Sequence, residues 1–221
     1  MIGMDLDGTI EDSRRDMIAA VQRVRAQLGL SARKAEAVFP WINRGMDVLY
    51  RNCFEDFIEE SGERLSEVRM RYEADYLEHL VLETTLYPGI FEALEALVAL
   101  RPLVVVTNKP EHISRRLLER LGIEKFFGAI IGGDTCAAQK PDRRLLVEAA
   151  RRCGFDPSGG RRSVMIGDSA GDIAMGQAFG ARTIWCAWGY SEPPGLVPDL
   201  VAKSPTDLPG LAQRALEQDR V

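Results

Sequence analysis

Apolar side chains recur along this chain with two different periods, and the change of period divides the sequence into two parts. Between residues 14 and 83 they recur at spacings of three and four, as at Val21, Val24 and Leu28, which is typical of amphipathic helices. The helical patterns cover residues 17–28, 35–39, 46–58 and 65–82. Because strand patterns are nearly absent here, residues 14–83 predict an all-helical domain inserted into another domain.

Outside this insert, short apolar runs alternate with helical patterns of about ten residues. The runs occupy residues 2–4, 103–106, 129–131, 163–166, 181–186 and 200–202, and the helical patterns occupy 91–100, 112–121, 143–153, 172–179 and 208–216. The run 103–106 is apolar throughout, as expected of a parallel strand covered on both faces. Residues 1–13 and 84–221 therefore predict an α/β core domain with a doubly wound parallel sheet.

The predicted strands end in polar side chains that suit phosphoryl chemistry. In sheets of this kind, ligands bind at the carboxyl ends of the strands. The residues found there are Asp5, Asp7, Thr107, Asn108 and Asp168, with Lys140 in the loop after the strand 129–131. Carboxylates around one point suit a hard divalent cation such as Mg²⁺, whereas a hydroxyl, a lysine and turn amides suit a phosphoryl group. An aspartate in such a place can attack phosphorus and form an acyl phosphate.

Composition and charge indicate which classes of molecule the protein binds and where it works. The chain has 221 residues, a net charge of −5 and a pI of about 5.3, which argues against nucleic acid or an anionic membrane as a partner. No apolar run approaches the roughly 18 to 20 residues of a membrane helix. We expect no signal peptide, because Asp5 and Asp7 stand where its apolar segment would be. With four scattered cysteines, the chain is expected to be a reduced cytoplasmic protein, either a monomer or a homodimer.

Four motifs resemble, in order and context, those of haloacid dehalogenase (HAD) superfamily phosphatases. They are Asp5-Leu6-Asp7-Gly8-Thr9, then Thr107, Lys140-Pro141 and the run 167–172, Gly-Asp-Ser-Ala-Gly-Asp. The resemblance covers essentially the whole chain, and the four motifs together are far more specific than any one alone. It implies a HAD-like Rossmannoid core, formed by residues 1–13 and 84–221, and a helical cap domain, formed by residues 14–83. Such a cap closes over the site and excludes bulk water.

The resemblance also implies roles for the two aspartates of the first motif. Asp5 would be the nucleophile that forms an aspartyl phosphate, and it would also bind Mg²⁺. Asp7 would be the general acid and base, which protonates the leaving oxygen and then activates the hydrolytic water. The backbone carbonyl of Asp7 would bind Mg²⁺ as well.

The remaining motif residues would surround the phosphoryl group and the metal. Thr107 and Asn108 would hold the phosphoryl oxygens, and Lys140 would neutralise charge on both the nucleophile and the phosphoryl group. Asp168 would be a further ligand of Mg²⁺. Asp172 would orient Lys140 or a metal-bound water, although its place at the start of a helical pattern is also typical of a helix N-cap.

Further segments are similar to the phosphoglycolate phosphatase branch of this superfamily. They are residues 41–51, 87–89, 106–110, 132–134 and 188–190. In that branch the stretch around residues 42–45 faces the active site and reads the substrate. This chain has Asn43-Arg44 where the branch usually has Gly-rich polar residues. Arg44 is therefore interpreted either as a partner of a substrate carboxylate or second phosphate, or as a solvated side chain.

The leading hypothesis is a Mg²⁺-dependent phosphatase that hydrolyses a small phosphorylated metabolite, with 2-phosphoglycolate as the first candidate. Nucleotidase and pyrophosphatase activities share the four motifs and stay open, as does a sugar phosphomutase.

A signalling receiver domain also carries an aspartyl phosphate, but its acidic residues come in another order and it has no helical insert. A haloacid dehalogenase would lack Asp7. A phosphonoacetaldehyde hydrolase needs a lysine in the cap, and Lys34 lacks the motif that surrounds that lysine. Lys109 is interpreted as a charge at the rim of the site.

Overall fold

The computed structural model describes residues 1–42, 44–59, 62–158, 160–193 and 195–217. Contacts between Cα atoms divide the chain into two compact units. Unit 1 comprises Met1–Asp12 and Leu86–Val221, and unit 2 comprises Ser13–Thr85. The assignment of residues 14–83 as a cap domain stays a prediction.

The strands lie mainly in one sheet of unit 1. They are β1 (Ile2–Met4), β2 (Glu11–Asp12), β3 (Thr85–Leu86), β4 (Leu103–Val106), β5 (Phe127–Ile131), β6 (Val164–Gly167), β7 (Arg182–Cys186) and β8 (Leu200–Ala202). Six of them form a sheet in the order β5-β4-β1-β6-β7-β8, in which the neighbours pair in parallel. Because β1 is central, its carboxyl end lies between those of β4 and β6. The predicted α/β fold with a doubly wound parallel sheet is confirmed.

The helices are α1 (Arg14–Gln27), α2 (Ala35–Ile42), α3 (Met46–Cys53), α4 (Leu65–Glu78), α5 (Ile90–Leu100), α6 (Glu111–Arg120), α7 (Arg144–Arg152), α8 (Ala170–Phe179) and α9 (Leu208–Glu217). The first four belong to unit 2, and the other five belong to unit 1. No helix in the described part of the chain is long and apolar enough to cross a membrane.

The central strands of the sheet are buried on both faces, which explains the continuous apolar run of β4. Val104 and Val106 lie in a buried cluster with residues of α7 and α8, including Met175. Since side chains alternate along a strand, Leu103 and Val105 point to the opposite face, where they are equally buried. A strand covered on both faces needs apolar residues at every position, as this one has.

Unit 2 is a helical unit in which α1 packs against α4 and α2 against α3. The apolar face of α1, which includes Met17, Val21 and Val24, is buried. Asp16 of the same helix is also buried, and its carboxylate accepts hydrogen bonds from the backbone N–H groups of residues 82–84. The acid therefore fixes the segment that follows α4.

Two helices of unit 2 end before the residues that the sequence pattern predicts. The predicted helix 46–58 stops at Cys53, whose carbonyl oxygen accepts a hydrogen bond from Arg25 instead. The predicted helix 65–82 stops at Glu78, since the chain turns at Val81, which has a positive φ of 60°. A tertiary hydrogen bond at the first end and a backbone turn at the second are features that apolar spacing does not reveal.

Candidate active site

The carboxyl end of β1 places Asp5 in the interior of unit 1. Its backbone N–H donates to the carbonyl of Ile166 on β6 at 2.9 Å, which extends the pairing of the two strands by one residue. The carboxylate then turns back, and its Oδ1 accepts a hydrogen bond from the backbone N–H of Leu6 at 2.7 Å. Asp5 is almost fully buried, so its charge depends on protein partners rather than on bulk water.

Lys140 connects two of the predicted acids. Its Nζ lies 2.6 Å from Oδ1 of Asp5 and 2.9 Å from Oδ1 of Asp172. The loop that carries Lys140 is held by Asn108, whose Oδ1 accepts the Lys140 backbone N–H at 2.9 Å. One hydrogen bond from the end of β4 thus positions a lysine that is 32 residues further along the chain.

Asp172 lies at the start of α8, but it is not the N-cap of that helix. The N-cap is Ser169, and Asp172 is the third residue of a capping box in which each side chain bonds the backbone N–H of the other residue. This hydrogen bonding fixes Asp172 with one oxygen on Ser169 and the other on Lys140. The acid therefore has both a capping contact and a contact with the predicted site.

A turn after β7 holds Asp168, and the sequence interpretation assigned this turn no role. Oδ2 of Asp168 accepts the backbone N–H groups of Tyr190 at 2.7 Å and Ser191 at 3.3 Å. A Cβ atom on Gly189 would lie 2.1 Å from Cβ of Asp168, so only glycine permits this approach. Gly189 was the available signal, because glycine is the usual residue where the backbone must approach another group closely.

The acids of the site fit the metal that the sequence predicts. Asp5, Asp168 and Asp172 each offer one carboxylate oxygen, and these oxygens lie within 4.8 Å of one another. All three residues are buried, and Oδ2 of Asp5 has no hydrogen-bond partner among the residues that the structure describes. A close group of oxygen donors that includes the unmatched Oδ2 of Asp5 suits a hard cation such as Mg²⁺.

Burial and neighbouring carboxylates shift the pKa values of the site residues. Burial raises the pKa of Asp5 well above its usual range, and Asp172 adds to the shift while Lys140 opposes it. Burial and Asp172 also raise the pKa of Asp168 to about 6. Burial alone would lower the pKa of Lys140, but Asp172 and Asp5 outweigh it and raise this pKa. A bound cation would favour the ionised carboxylates that this cluster otherwise disfavours.

Asp7 lies close to a lysine that the sequence interpretation placed wrongly. Lys109 is only 3% exposed, and its Nζ lies 2.5 Å from Oδ1 of Asp7. The interpretation of Lys109 as a charge at the rim of the site is therefore wrong. Lys109 is the third residue after β4, and its backbone N–H donates to Oγ1 of Thr107 at 3.1 Å.

The two predicted phosphoryl-binding residues after β4 differ in their surroundings. Thr107 is buried, and its backbone N–H donates to the carbonyl of Ile131 on β5 at 2.9 Å. Asn108 is half-buried, and its side-chain oxygen is already engaged with Lys140. Their contacts with a phosphoryl group stay predictions.

Arg44 belongs to unit 2, where it is exposed and has its guanidinium 5.6 Å from the centre of the Trp41 ring. Within the described ranges it has no carboxylate partner closer than 4.0 Å. Its neighbour Asn43 lies outside the described residues. A role for Arg44 in substrate binding stays a prediction.

Comparisons with known proteins agree with these features. A family model described as haloacid dehalogenase-like hydrolase matches residues 2–186. The chain is 34% identical over 210 residues to phosphoglycolate phosphatase of Chromobacterium violaceum, covering 94% of this chain and 93% of that protein. It is 31% identical over 209 residues to phosphoglycolate phosphatase of Aquifex aeolicus, covering 94% of each. The crystal structure of a predicted phosphoglycolate phosphatase from Haemophilus somnus superposes with a TM-score of 0.85 at 26% identity, covering 96% of this chain and 97% of that one.

Proposed function

The chain belongs to the haloacid dehalogenase-like hydrolase family and is a phosphoric monoester hydrolase, so we propose that it hydrolyses 2-phosphoglycolate with Mg²⁺ through an aspartyl phosphate on Asp5. The family and the phosphatase class, both predicted from the motifs, are confirmed by the matched model and the relatives. The substrate is proposed because two relatives bear the name phosphoglycolate phosphatase. The cytoplasmic location and the monomeric or homodimeric state stay predictions.

The surroundings of Asp5 carry the mechanistic part of the proposal. One carboxylate oxygen contacts Lys140, and the other is buried without a hydrogen-bond partner among the described residues. An oxygen that is desolvated and unmatched is costly for folding, and this cost is typical of functional sites.

Two of the three acids would be ligands of the cation. Both oxygens of Asp172 already accept hydrogen bonds, from Lys140 and Ser169, which favours Asp5 and Asp168 as the carboxylate ligands. Asp172 would then orient Lys140, and the backbone carbonyl of Asp7 would complete the protein ligands. When bound, Mg²⁺ would supply positive charge that offsets the acids and the phosphoryl oxygens.

In the first half of the reaction, a carboxylate oxygen of Asp5 attacks phosphorus and the bond from phosphorus to the glycolate oxygen breaks. Asp7 gives its proton to that oxygen, so that neutral alcohol rather than alkoxide leaves. Lys140 offsets the negative charge that the acyl phosphate retains beside Asp5. Thr107 and Asn108 donate hydrogen bonds to the phosphoryl oxygens.

In the second half, a water attacks phosphorus of the aspartyl phosphate and its proton passes to Asp7. The bond from phosphorus to the Asp5 oxygen breaks, which releases inorganic phosphate and restores the carboxylate. Asp5 thus forms a bond to phosphorus in the first half and releases it in the second, while Asp7 first gives a proton and then accepts one. Unit 2 would act as the cap that excludes bulk water, with Arg44 binding the substrate carboxylate.

A panel assay tests the proposal. The purified protein is given Mg²⁺ with 2-phosphoglycolate, nucleoside monophosphates, pyrophosphate and sugar phosphates, and kcat/KM is measured for each. We expect the highest value for 2-phosphoglycolate and loss of all activity when a chelator removes divalent cations. Restoring Mg²⁺ in excess of the chelator should restore the rate.

Two results would contradict different parts of the proposal. A preference for nucleotides by about a hundredfold or more, equivalent to about 2.7 kcal/mol, would overturn the substrate. Full activity in the presence of the chelator would overturn the metal dependence. A phosphorylated Asp5 that accumulates without releasing phosphate would instead indicate a receiver-type function.

A further inference from the structure

A buried lysine lies between two carboxylates beside the predicted acid and base. Nζ of Lys109 is 2.5 Å from Oδ1 of Asp7 and 3.7 Å from Oε1 of Glu11. The side chain of Lys109 is 2% exposed and that of Glu11 is fully buried. These are charged side chains of types that almost never lie in the interior unless they are paired.

The backbone brings Glu11 back towards Asp7. The backbone N–H groups of Thr9, Ile10 and Glu11 all donate to the carbonyl of Leu6, and the N–H of Gly8 donates to the carbonyl of Glu11. Gly8 has a φ of 80°, a conformation that side chains rarely adopt. This compact turn places the two carboxylates so that one ammonium can contact both.

Stability alone is a weak reason to bury these charges. A lysine usually keeps its charged end in water, because taking the ammonium into the interior costs more than a single ion pair returns. Lys109 instead directs its charged end inward to Asp7, and Glu11 provides a second negative charge on the same ammonium. An ammonium that donates to one oxygen of Asp7 restricts rotation of that carboxylate.

We propose that Lys109 is a positioning residue for Asp7, and that Glu11 holds Lys109 in place. The inference rests on the proposed role of Asp7 as general acid and base. Lys109 acts through the orientation of the Asp7 carboxylate towards the leaving oxygen and the hydrolytic water. A displacement of a reacting group by about 1 Å can cost about a hundredfold in rate.

The test measures single-turnover rates with enzyme in excess, so that slow variants remain measurable, and steady-state KM values with substrate in excess. The variants are Lys109→Met, Lys109→Arg, Glu11→Gln and Asp7→Asn, with Lys203→Met as a control for loss of an exposed lysine. The two substrates are 2-phosphoglycolate, whose alkoxide leaves poorly, and p-nitrophenyl phosphate, whose phenolate leaves well. Thermal melting establishes that each variant is folded.

For 2-phosphoglycolate, we expect Lys109→Met to lower the rate about a hundredfold with KM nearly unchanged. Release of nitrophenolate should fall less than about tenfold, since a good leaving group needs little protonation. Lys109→Arg should recover at least about tenfold, because arginine restores a donor for Asp7. Glu11→Gln should lower the rate by about three- to tenfold, and Lys203→Met should not change it.

A double-mutant comparison separates positioning from a general structural effect. Adding Lys109→Met to Asp7→Asn should change the rate less than about threefold, because the residue through which Lys109 acts is already removed. Equal losses for both substrates, or a full hundredfold loss in the Asp7→Asn background, would overturn the inference. So would a raised KM with an unchanged rate, which would indicate a direct contact with substrate.

Failure of this inference can be distinguished from failure of the proposed function. If Asp7→Asn hydrolyses 2-phosphoglycolate like the unmodified protein, the proposed role of Asp7 is wrong. If Asp7→Asn is inactive while Lys109→Met keeps its rate, only the role of Lys109 is wrong. Should Lys109→Met not fold, the same comparison is made with Lys109→Met/Glu11→Gln, which removes both charges, and an unchanged rate there overturns the inference.

Discussion

The two units bury charged side chains in different ways. In unit 2, the buried carboxylate of Asp16 accepts four neighbouring donors, namely the N–H groups of residues 82–84 and the hydroxyl of Thr84. Buried Arg25 likewise donates to Asp56 and to two backbone carbonyls. In the site of unit 1, by contrast, Asp5 and Asp172 share the ammonium of Lys140.

The difference indicates what each set of charges is for. A buried charge that is fully matched stabilises the fold it belongs to, because its partners replace the lost water. A cluster with more carboxylates than cations, and with one unmatched oxygen on Asp5, disfavours the fold but binds an external positive charge. Substitutions should therefore affect stability in unit 2 and activity in the site.

The largest expected effect is that of Asp5→Asn. We expect kcat for 2-phosphoglycolate to fall at least about 1,000-fold, because an amide cannot act as the nucleophile. The free energy of unfolding should stay constant or rise by about 1 kcal/mol, since a like charge beside Asp172 is removed. Steady-state kinetics and urea unfolding measure the two quantities.

Glu92→Gln serves as the matched control for Asp5→Asn, because it removes an exposed carboxylate of unit 1. It should leave both activity and stability within experimental error. If Asp5→Asn kept a tenth of the activity, or lost several kcal/mol of stability, the contrast between a functional and a structural cluster would not hold.

The next largest effect is expected for Asp16→Ala in unit 2. Removing the carboxylate deprives the N–H groups of residues 82–84 of their acceptor, including the buried N–H of Thr84, which should cost about 2–3 kcal/mol of unfolding free energy. The amide of Thr84, buried and bonded to Asp16, should exchange with deuterium about 50-fold faster, as read by hydrogen exchange. Glu36→Gln, on an exposed site of the same unit, should change neither quantity. Unchanged exchange at residues 82–84 would show that Asp16 does not stabilise this turn.

The sequence predicts the site better than it predicts these structural contacts, for physical reasons. Asp5, Asp168 and Lys140 follow apolar strands, and parallel strands bring their carboxyl ends to one edge of the sheet. The hydrogen bonds of Asp16 instead join residues 66 to 68 positions apart through a turn with no periodic signal. Lys109 shows the same limit, because a lysine next to a strand can point to solvent or inward.

Arg44 differs from the matched charges Arg23 and Arg25 of unit 2, and its substitution should show a smaller effect. Arg23 and Arg25 pair with carboxylates, whereas Arg44 lies over Trp41. If it binds the substrate carboxylate, Arg44→Met should raise KM for 2-phosphoglycolate about tenfold, equivalent to about 1.4 kcal/mol. A phosphomonoester without a carboxylate, such as p-nitrophenyl phosphate, should keep its KM.

Arg71→Met is the control for Arg44→Met, because it removes an exposed arginine of the same unit that pairs with Glu67. It should leave KM unchanged for both substrates. Equal KM values in Arg44→Met and the unmodified protein would instead support the solvated interpretation of Arg44.

The smallest expected effect is the pH dependence of the pair between Arg25 and Asp56. The hydrogen bond from Arg25 lowers the pKa of Asp56 below its usual range, while the Asp56 side chain stays 41% exposed. Because the folded pKa is lowered, the pair stabilises the protein fully above the ordinary pKa of about 3.9 and loses this contribution as the pH falls through the folded value. Solvent screening limits the contribution to about 1 kcal/mol.

Asp56→Asn measures this contribution directly. Its unfolding free energy should lie about 1 kcal/mol below that of the unmodified protein at pH 7, and the difference should shrink as the pH falls below about 4. Urea titrations at several pH values provide both free energies, and added salt should reduce the difference at pH 7 because one partner is exposed. A difference that grew towards low pH would have the wrong sign for a carboxylate with a lowered pKa. In that case the pair between Arg25 and Asp56 would not stabilise unit 2, and the contrast with the site around Asp5 would fail for this pair.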